Sequence, residues 1–335
     1  RQLFAAGEAP SDIPDPRKLL GFTDNRQDAA LQAGHFNDFV FLLTLRAGLV
    51  GALQQNSGVL TEETLADAVF KAIGFDRDEE GALAEYLKSP LLVGLALQEA
   101  QRTLRYILGY RLVYDLRKGW RYNNPNLDQL KLLSIGYQGL DDFCANEALF
   151  TKGHSVLQRL QPGARKELAH FVFDELRRAL CLESRYLDPT DQDKARNSAY
   201  SYLNERWSFS QDERLATSKY LIFGKRPESR GKVREDLVSA GPRSRLVRLL
   251  KQAKFWEQTE FAGQVNGWKG LELATIVADF LVVAQRYGYI QSTSVGQDLT
   301  GWRLKSSALL WQLMPELPTD EENKTNTFFR QLYRT

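Results

Sequence analysis

Residues 23–27, Thr-Asp-Asn-Arg-Gln, concentrate side chains suited to binding phosphate. Thr23, Asp24 and Asn25 are all capping types, able to accept hydrogen bonds from the first free backbone N–H groups of a helix. Arg26, Gln27 and Asp28 would then form its first turn. The start of a helix presents unpaired N–H groups and the positive end of a dipole, which attracts anions. Arg26 adds a planar, permanently charged donor at the same place. The flanking pattern predicts a short buried strand over 18–22 and a long apolar helix over 28–54, so the turn would join strand to helix. The same residues also describe an ordinary capped helix after a strand, the commoner arrangement.

The second concentration of charge lies at 219–254. It holds Lys219, Lys225, Arg226, Arg230, Lys232, Arg234, Arg243, Arg245, Arg248, Lys251 and Lys254, eleven cations against Glu228, Glu235 and Asp236, a local balance of +8. Gly224, Pro227, Gly231, Gly241 and Pro242 make its first half a loop. Such a segment is an electrostatic footprint for phosphates, and a solvated loop is the competing reading. Lys225, Arg226, Arg230, Lys232 and Arg234 are its candidate contacts. Arg303 and Lys305, on a predicted return strand, are two more. By contrast, 61–80 carries seven acids against Lys71 and Arg77, a balance of −5. That face should repel a nucleic acid and reads as solvated surface or a protein-facing patch.

The run LLGFTDNRQDAALQAGHFNDF resembles helicase motif IV of large bacterial DEAD/DEAH-box proteins of superfamily 2, and FFRQLYR at 328–334 resembles the segment before motif V. The resemblance covers the start of the chain and a few residues at its end, with a large insertion between. It implies that Thr23, Asp24, Asn25, Arg26 and Gln27 touch the backbone of a tracking strand. It also implies DNA and the remaining helicase lobes as partners, a setting in phage defence or DNA repair with a possible protein partner in a defence complex, and ATP and Mg²⁺ in the complete protein. No cofactor is expected in this chain. It has no G-x-x-x-x-G-K-[ST] loop, no D-E-x-D/H box and no Q-x-x-G-R-x-x-R run. The closest approach to a phosphate loop, at 263–270, has its glycines one residue too close and no hydroxyl after the Lys. His35, His154 and His170 are scattered, without metal-ligand spacing. The chain alone should hydrolyse nothing.

The elements expected to position these residues are mainly helical, with small β elements. The predicted order is a flexible arm (1–16), the start of a second RecA-like lobe (17–58), a helical insertion (59–218), a basic loop (219–240), a winged-helix-like module (241–314), and a linker and helix returning to the motor (315–335). Predicted helices cover 61 onwards, 91–117, 127–133, 139–149, 162–182, 188–207, 242–256 and 271–287. An aromatic strand at 119–122, another at 133–137 and a hairpin over 288–305 complete the reading. On the helix over 162–182, Leu168, Phe171, Val172, Leu176 and Leu180 form the expected apolar face, opposite Arg165, Lys166, Glu167, Arg177 and Arg178. The predicted recognition helix, 271–287, offers Glu272, Thr275, Asp279, Gln285 and Arg286, too mixed in sign for groove insertion.

With 335 residues, 43% hydrophobic and 26% charged, the chain has the composition of a soluble globular protein. Its net charge of +2 gives no global attraction to nucleic acid, so any binding must be local. Cys144 and Cys181, far apart, point to a reducing compartment, the cytoplasm. Asn37, Asp38 and Arg46 interrupt the most apolar stretch, so no membrane span is expected. A first residue of Arg suggests a piece of a longer protein.

Overall fold

A computed structural model describes residues 26–117, 126–210, 212–224, 228–229, 232–296 and 299–315, with side chains described outside 26–39 and 228–233. The contacts divide the chain into two units, 1–44 and 45–335. The strand expected at 18–22 and the aromatic strand at 119–122 lie outside the described residues.

The described fold is mainly helical with small sheets, as composition and periodicity predict. Helix α1 runs Arg26–Gln55. In the larger unit, strand β1 (Val59–Thr61) leads into α2 (Glu62–Ile73), whose N-cap is Thr61, with a capping box closed by Thr64 rather than by Glu or Gln. Helices α3 (Glu80–Tyr86) and α4 (Gly94–Asp115) follow. Residues 127–131 make turns instead of the expected helix, before β2 (Leu133–Tyr137). Short helices α5 (Leu140–Ala145), α6 (Glu147–Phe150) and α7 (Ser155–Arg159) precede α8 (Pro162–Arg178) and β3 (Leu182–Glu183). Asp188 caps α9 (Pro189–Tyr202), its carboxylate accepting from the N–H of Thr190 at 2.8 Å and of Asp191 at 3.3 Å.

Strands β4 (Tyr220–Ile222), β5 (Glu228–Ser229), β6 (Lys232–Val233) and β7 (Leu237–Ser239) lead to α10 (Arg245–Lys251) and α11 (Gly270–Tyr287). Then come β8 (Ile290–Gly296), β9 (Leu299–Lys305) and β10 (Leu309–Leu313). Helix α10 is half the expected length; its continuation to 258 is a separate turn of 3₁₀ helix.

Two sheets tie distant segments together. Strand β10 lies between β1 and β2, antiparallel to both. In the second sheet β9 carries β8 along one edge, while its other edge pairs with β4 through Trp302 and Leu221, and with β3 through Leu304 and Leu182. Strand β7 extends that edge, parallel to β4. Beneath it Ile222, Leu237 and Val295 form a small core.

Helix α8 departs most from its sequence pattern. Phe173 is fully buried where Phe171 was expected, and Arg165 and Arg177, expected on the polar face, are only 1% and 2% exposed. Phe173 joins Phe143, Phe280, Tyr137 and Tyr289 in an aromatic core of edge-on rings 5–6 Å apart. The arginines are buried because carboxylates and carbonyls from other elements converge on them.

Helix α4 meets the 3₁₀ turn at Arg185–Leu187 so closely that a Cβ on Gly109 would fall 2.2 Å from the Tyr186 ring, itself buried. Gly109→Ala should therefore destabilise the protein. Helix propensity would contribute about 1 kcal/mol in its favour, but overpacking costs roughly 1–3 kcal/mol. A urea midpoint lowered relative to wild type checks this; a raised midpoint would refute it.

Candidate nucleic-acid interface

The expected phosphate seat falls largely outside the described residues, which exclude Thr23, Asp24 and Asn25. Arg26 is the first residue of α1 and Gln27 the second. In the basic loop, Lys225, Arg226 and Arg230 lie outside the described residues. Lys232 stands in β6, in register with Ser229 of β5.

Arg234 and Arg303 face inward contacts. Arg234 forms a two-pronged ion pair with Asp236, and its third nitrogen donates to the Val295 carbonyl at 2.6 Å. Hydrogen bonds from Arg234 hold the Asp236 carboxyl below its usual range, against the opposing effect of burial. Arg303 donates to Gln291 Oε1 at 2.6 Å and lies over the Tyr220 ring at 4.6 Å, with a buried Nε that has no acceptor. Both guanidinium groups thus brace the second sheet. Lys305 ends β9, half-buried and in register with Glu183.

Other cations in the chain are similarly committed. Arg46 grips Asp115 at 2.8 and 3.3 Å, Arg105 bonds Asp67 at 2.9 Å, and Arg111 pairs with both oxygens of Glu213. The acidic run is likewise only partly solvated. Glu62 accepts from Ser184 and Ser306, and burial raises its pKa despite those bonds. Asp67 bonds Lys71 and Arg105, while Asp76, Asp78, Glu79 and Glu80 stay exposed.

Arg245 and Arg248 of α10, part of the basic region but not among its expected contacts, remain on the surface. Leu246, Val247 and Leu250 bury one side of the helix, leaving Arg245 and Arg248 exposed on the other, with Arg243 and Lys254 exposed in the flanking turns. Their three-residue spacing was the available signal, since a short amphipathic helix with basic outer positions must turn them to solvent.

Among the described residues no reactive acid–base pair emerges elsewhere. Burial raises both thiols, Cys144 and Cys181, to about 12, so they stay protonated at neutral pH. His154 caps α7 by accepting from the Val156 N–H at 3.2 Å, and burial lowers the pKa of His170 beside Tyr137. A small pocket, partly open to solvent, touches Leu49, Asp115, Asn126, Asp128 and Trp311. Its two carboxylates are held by arginines: Asp115 by Arg46, and Asp128 by Arg177 at 2.8 Å. Among the described residues there is no group of three or more His, Cys, Asp or Glu placed to hold a metal. No described helix is long and apolar enough to cross a membrane. Comparisons with protein families, with curated proteins and with solved structures find no match to this chain.

Proposed function

We propose that this chain is part of an ATP-dependent superfamily 2 nucleic-acid helicase or translocase, supplying the start of the second motor lobe and a large accessory insertion. The observation that carries the reading is the run GFTDNRQDAALQAGHFNDF, whose polar residues Thr23, Asp24 and Asn25 immediately precede in sequence the long helix beginning at Arg26. ATP and Mg²⁺ would bind between the two motor lobes of the complete protein, and Thr23–Gln27 would be one grip on the tracked strand. Helices α10 and α11 followed by the β8–β9 hairpin are read as a winged-helix-like module within that insertion. Phage defence or DNA repair is the proposed setting.

A second reading, a helical scaffold that binds protein, is favoured by one surface feature. Leu91, Val93 and Leu95 are 81%, 77% and 83% exposed within five residues, and Tyr200 is 64% exposed.

Fluorescence anisotropy with a mixed-sequence labelled oligonucleotide separates the two. The whole chain should bind at 50 mM salt and weaken steeply by 200 mM, because each neutralised phosphate releases counterions. Arg26→Ala should weaken binding by about tenfold, the worth of one charge-assisted hydrogen bond. Reversing Arg230 and Lys232 to Glu should weaken it further. Absence of binding at 50 mM salt, with a protein partner still captured through the Leu91–Leu95 surface, would leave the scaffold reading in its place.

A further inference from the structure

We infer that the outward side of α10 and its flanking turns, through Arg243, Arg248 and Lys254, forms a contact surface for the phosphate backbone of nucleic acid. This rests on the nucleic-acid reading above and assigns part of the contact to particular residues.

From 241 to 256 the chain carries five cations, Arg243, Arg245, Arg248, Lys251 and Lys254, before the first carboxylate, the exposed Glu257 at the end of the turn that holds Lys254. Helix α10 packs on α8 and α11 through Leu246, Val247 and Leu250, so the basic side can only face outward. Arg245 and Arg248, three residues apart on the helix, have Cβ atoms about 5–6 Å from one another, and Arg243 and Lys254 continue the basic run into the turns at its two ends. Local bonds make the surface rigid. Ser244 caps the helix by accepting from the Val247 N–H at 3.2 Å, Trp256 Nε1 donates to the Leu250 carbonyl at 2.8 Å, and Lys251 Nζ donates to the Trp268 carbonyl at 2.9 Å. The Pro242 carbonyl presses on the start of α11, where a Cβ at Gly270 would come within 2.2 Å of it.

Ion pairing then sorts the cations. Arg245 lies 3.6 Å from Glu175, and Lys251 is engaged with Trp268. Arg243, Arg248 and Lys254 are exposed and form no ion pair with any described residue. In 243–254 the exposed side chains are Arg243, Arg245, Arg248, Gln252 and Lys254, all polar or charged. A protein partner would normally require an apolar or aromatic anchor at the centre of such a face. Unpaired positive charge without an anchor matches a phosphate backbone instead, which makes binding salt-dependent and indifferent to base sequence.

The test uses the whole chain with labelled mixed-sequence 30-mers, single-stranded and duplex, titrated at several salt concentrations from 50 to 200 mM. Combined Arg243→Glu, Arg248→Glu and Lys254→Glu should lower affinity at 50 mM salt by about 30-fold or more, and flatten the log–log salt slope by about 2–3. Arg286→Glu, exposed on α11, should change affinity by less than about threefold. If charge reversal perturbs folding, as judged by the urea transition, the Gln triple variant removes the same charges and should flatten the slope equally. Wild-type binding with an unchanged triple variant overturns this inference while leaving the translocase reading intact, and points to an acidic protein as occupant. Equal loss in Arg286→Glu also overturns it. A wild-type chain that binds neither oligonucleotide at 50 mM salt overturns both.

Discussion

Arg165→Ala should lower the free energy of unfolding by about 3–5 kcal/mol, the usual cost of removing one partner from a buried charged network. The guanidinium is 1% exposed and all its donors are used. Nε donates to the Leu157 carbonyl at 3.1 Å, Nη2 to the Gln158 carbonyl at 2.9 Å, and Nη1 to the Cys144 carbonyl at 3.3 Å. Two further bonds, at 2.8 and 2.9 Å, reach the two oxygens of Glu147. The group also lies 4.2 Å above the Phe150 ring. One side chain on α8 therefore ties down the ends of α5, α6 and α7, which are too short to be stable alone.

The carbonyls matter more than the ion pair. Glu147 is 66% exposed, so its charge is well solvated without Arg165. Glu147→Ala should cost about 1–3 kcal/mol, less than Arg165→Ala, because the buried guanidinium loses its carboxylate but keeps its bonds to three carbonyls. Arg165→Met would restore most of the packing but leave three carbonyls without donors, each costing roughly 1–3 kcal/mol. It should therefore remain well below wild type in urea denaturation. A methionine variant as stable as wild type would show that packing alone holds this corner.

Arg177→Ala is expected to cost about 3 kcal/mol at neutral pH, by the same principle. Arg177 bonds Asp128 at 2.8 Å and Asp174 at 2.9 Å, and Tyr137 donates to Asp174 at 2.7 Å. Removing it leaves two carboxylates, 11% and 23% exposed, sharing only Arg178, which is 3.3 Å from Asp174 and 3.9 Å from Asp128. The partial compensation sets the lower end of the range.

The deficit should also depend on pH, in a direction that a packing loss would not produce. Burial alone would raise the Asp174 pKa, but the charges of Arg177 and Arg178, with hydrogen bonds from Arg177 and Tyr137, outweigh it and hold the carboxyl below its usual value. In the wild type this contributes stability that is complete above the unfolded pKa of about 3.9 and is lost as pH falls through the lower folded value. Without Arg177, the Asp174 carboxyl loses the charge and hydrogen bond that offset its burial, and its pKa should rise. Protonation then relieves the variant while it harms the wild type, so the gap between them should narrow from pH 7 to pH 4. A gap of constant size across that range would show that lost packing, rather than the carboxylates, is responsible.

Much of the helical content was legible from local signals. The extent of α1, the start of α2 at Thr61, the Asp188 cap and α11 each follow from residues within a few positions of the element itself. The β8–β9 hairpin was equally local. Strand β10 gave no such warning: its partners β1 and β2 lie far back along the chain, and strands of three to five residues are too short for alternation to stand out.

The candidate interface divides in the same way. Charge density, and the three-residue spacing that turns Arg245 and Arg248 outward, are written in the amino-acid order. Which cations stay available was decided by the folded chain. Val295, Gln291 and Tyr220 meet Arg234 and Arg303 only after the second sheet has closed, and Cys144, Asp128 and Leu157 converge on the arginines of α8 only in the packed core. Arginine has a long apolar stem and five donors, so the same residue type can serve solvent, phosphate or a buried carbonyl. Periodicity determined the helices and most of their inward faces; the fate of each charge was settled by groups that tertiary folding brings within about 3 Å of it.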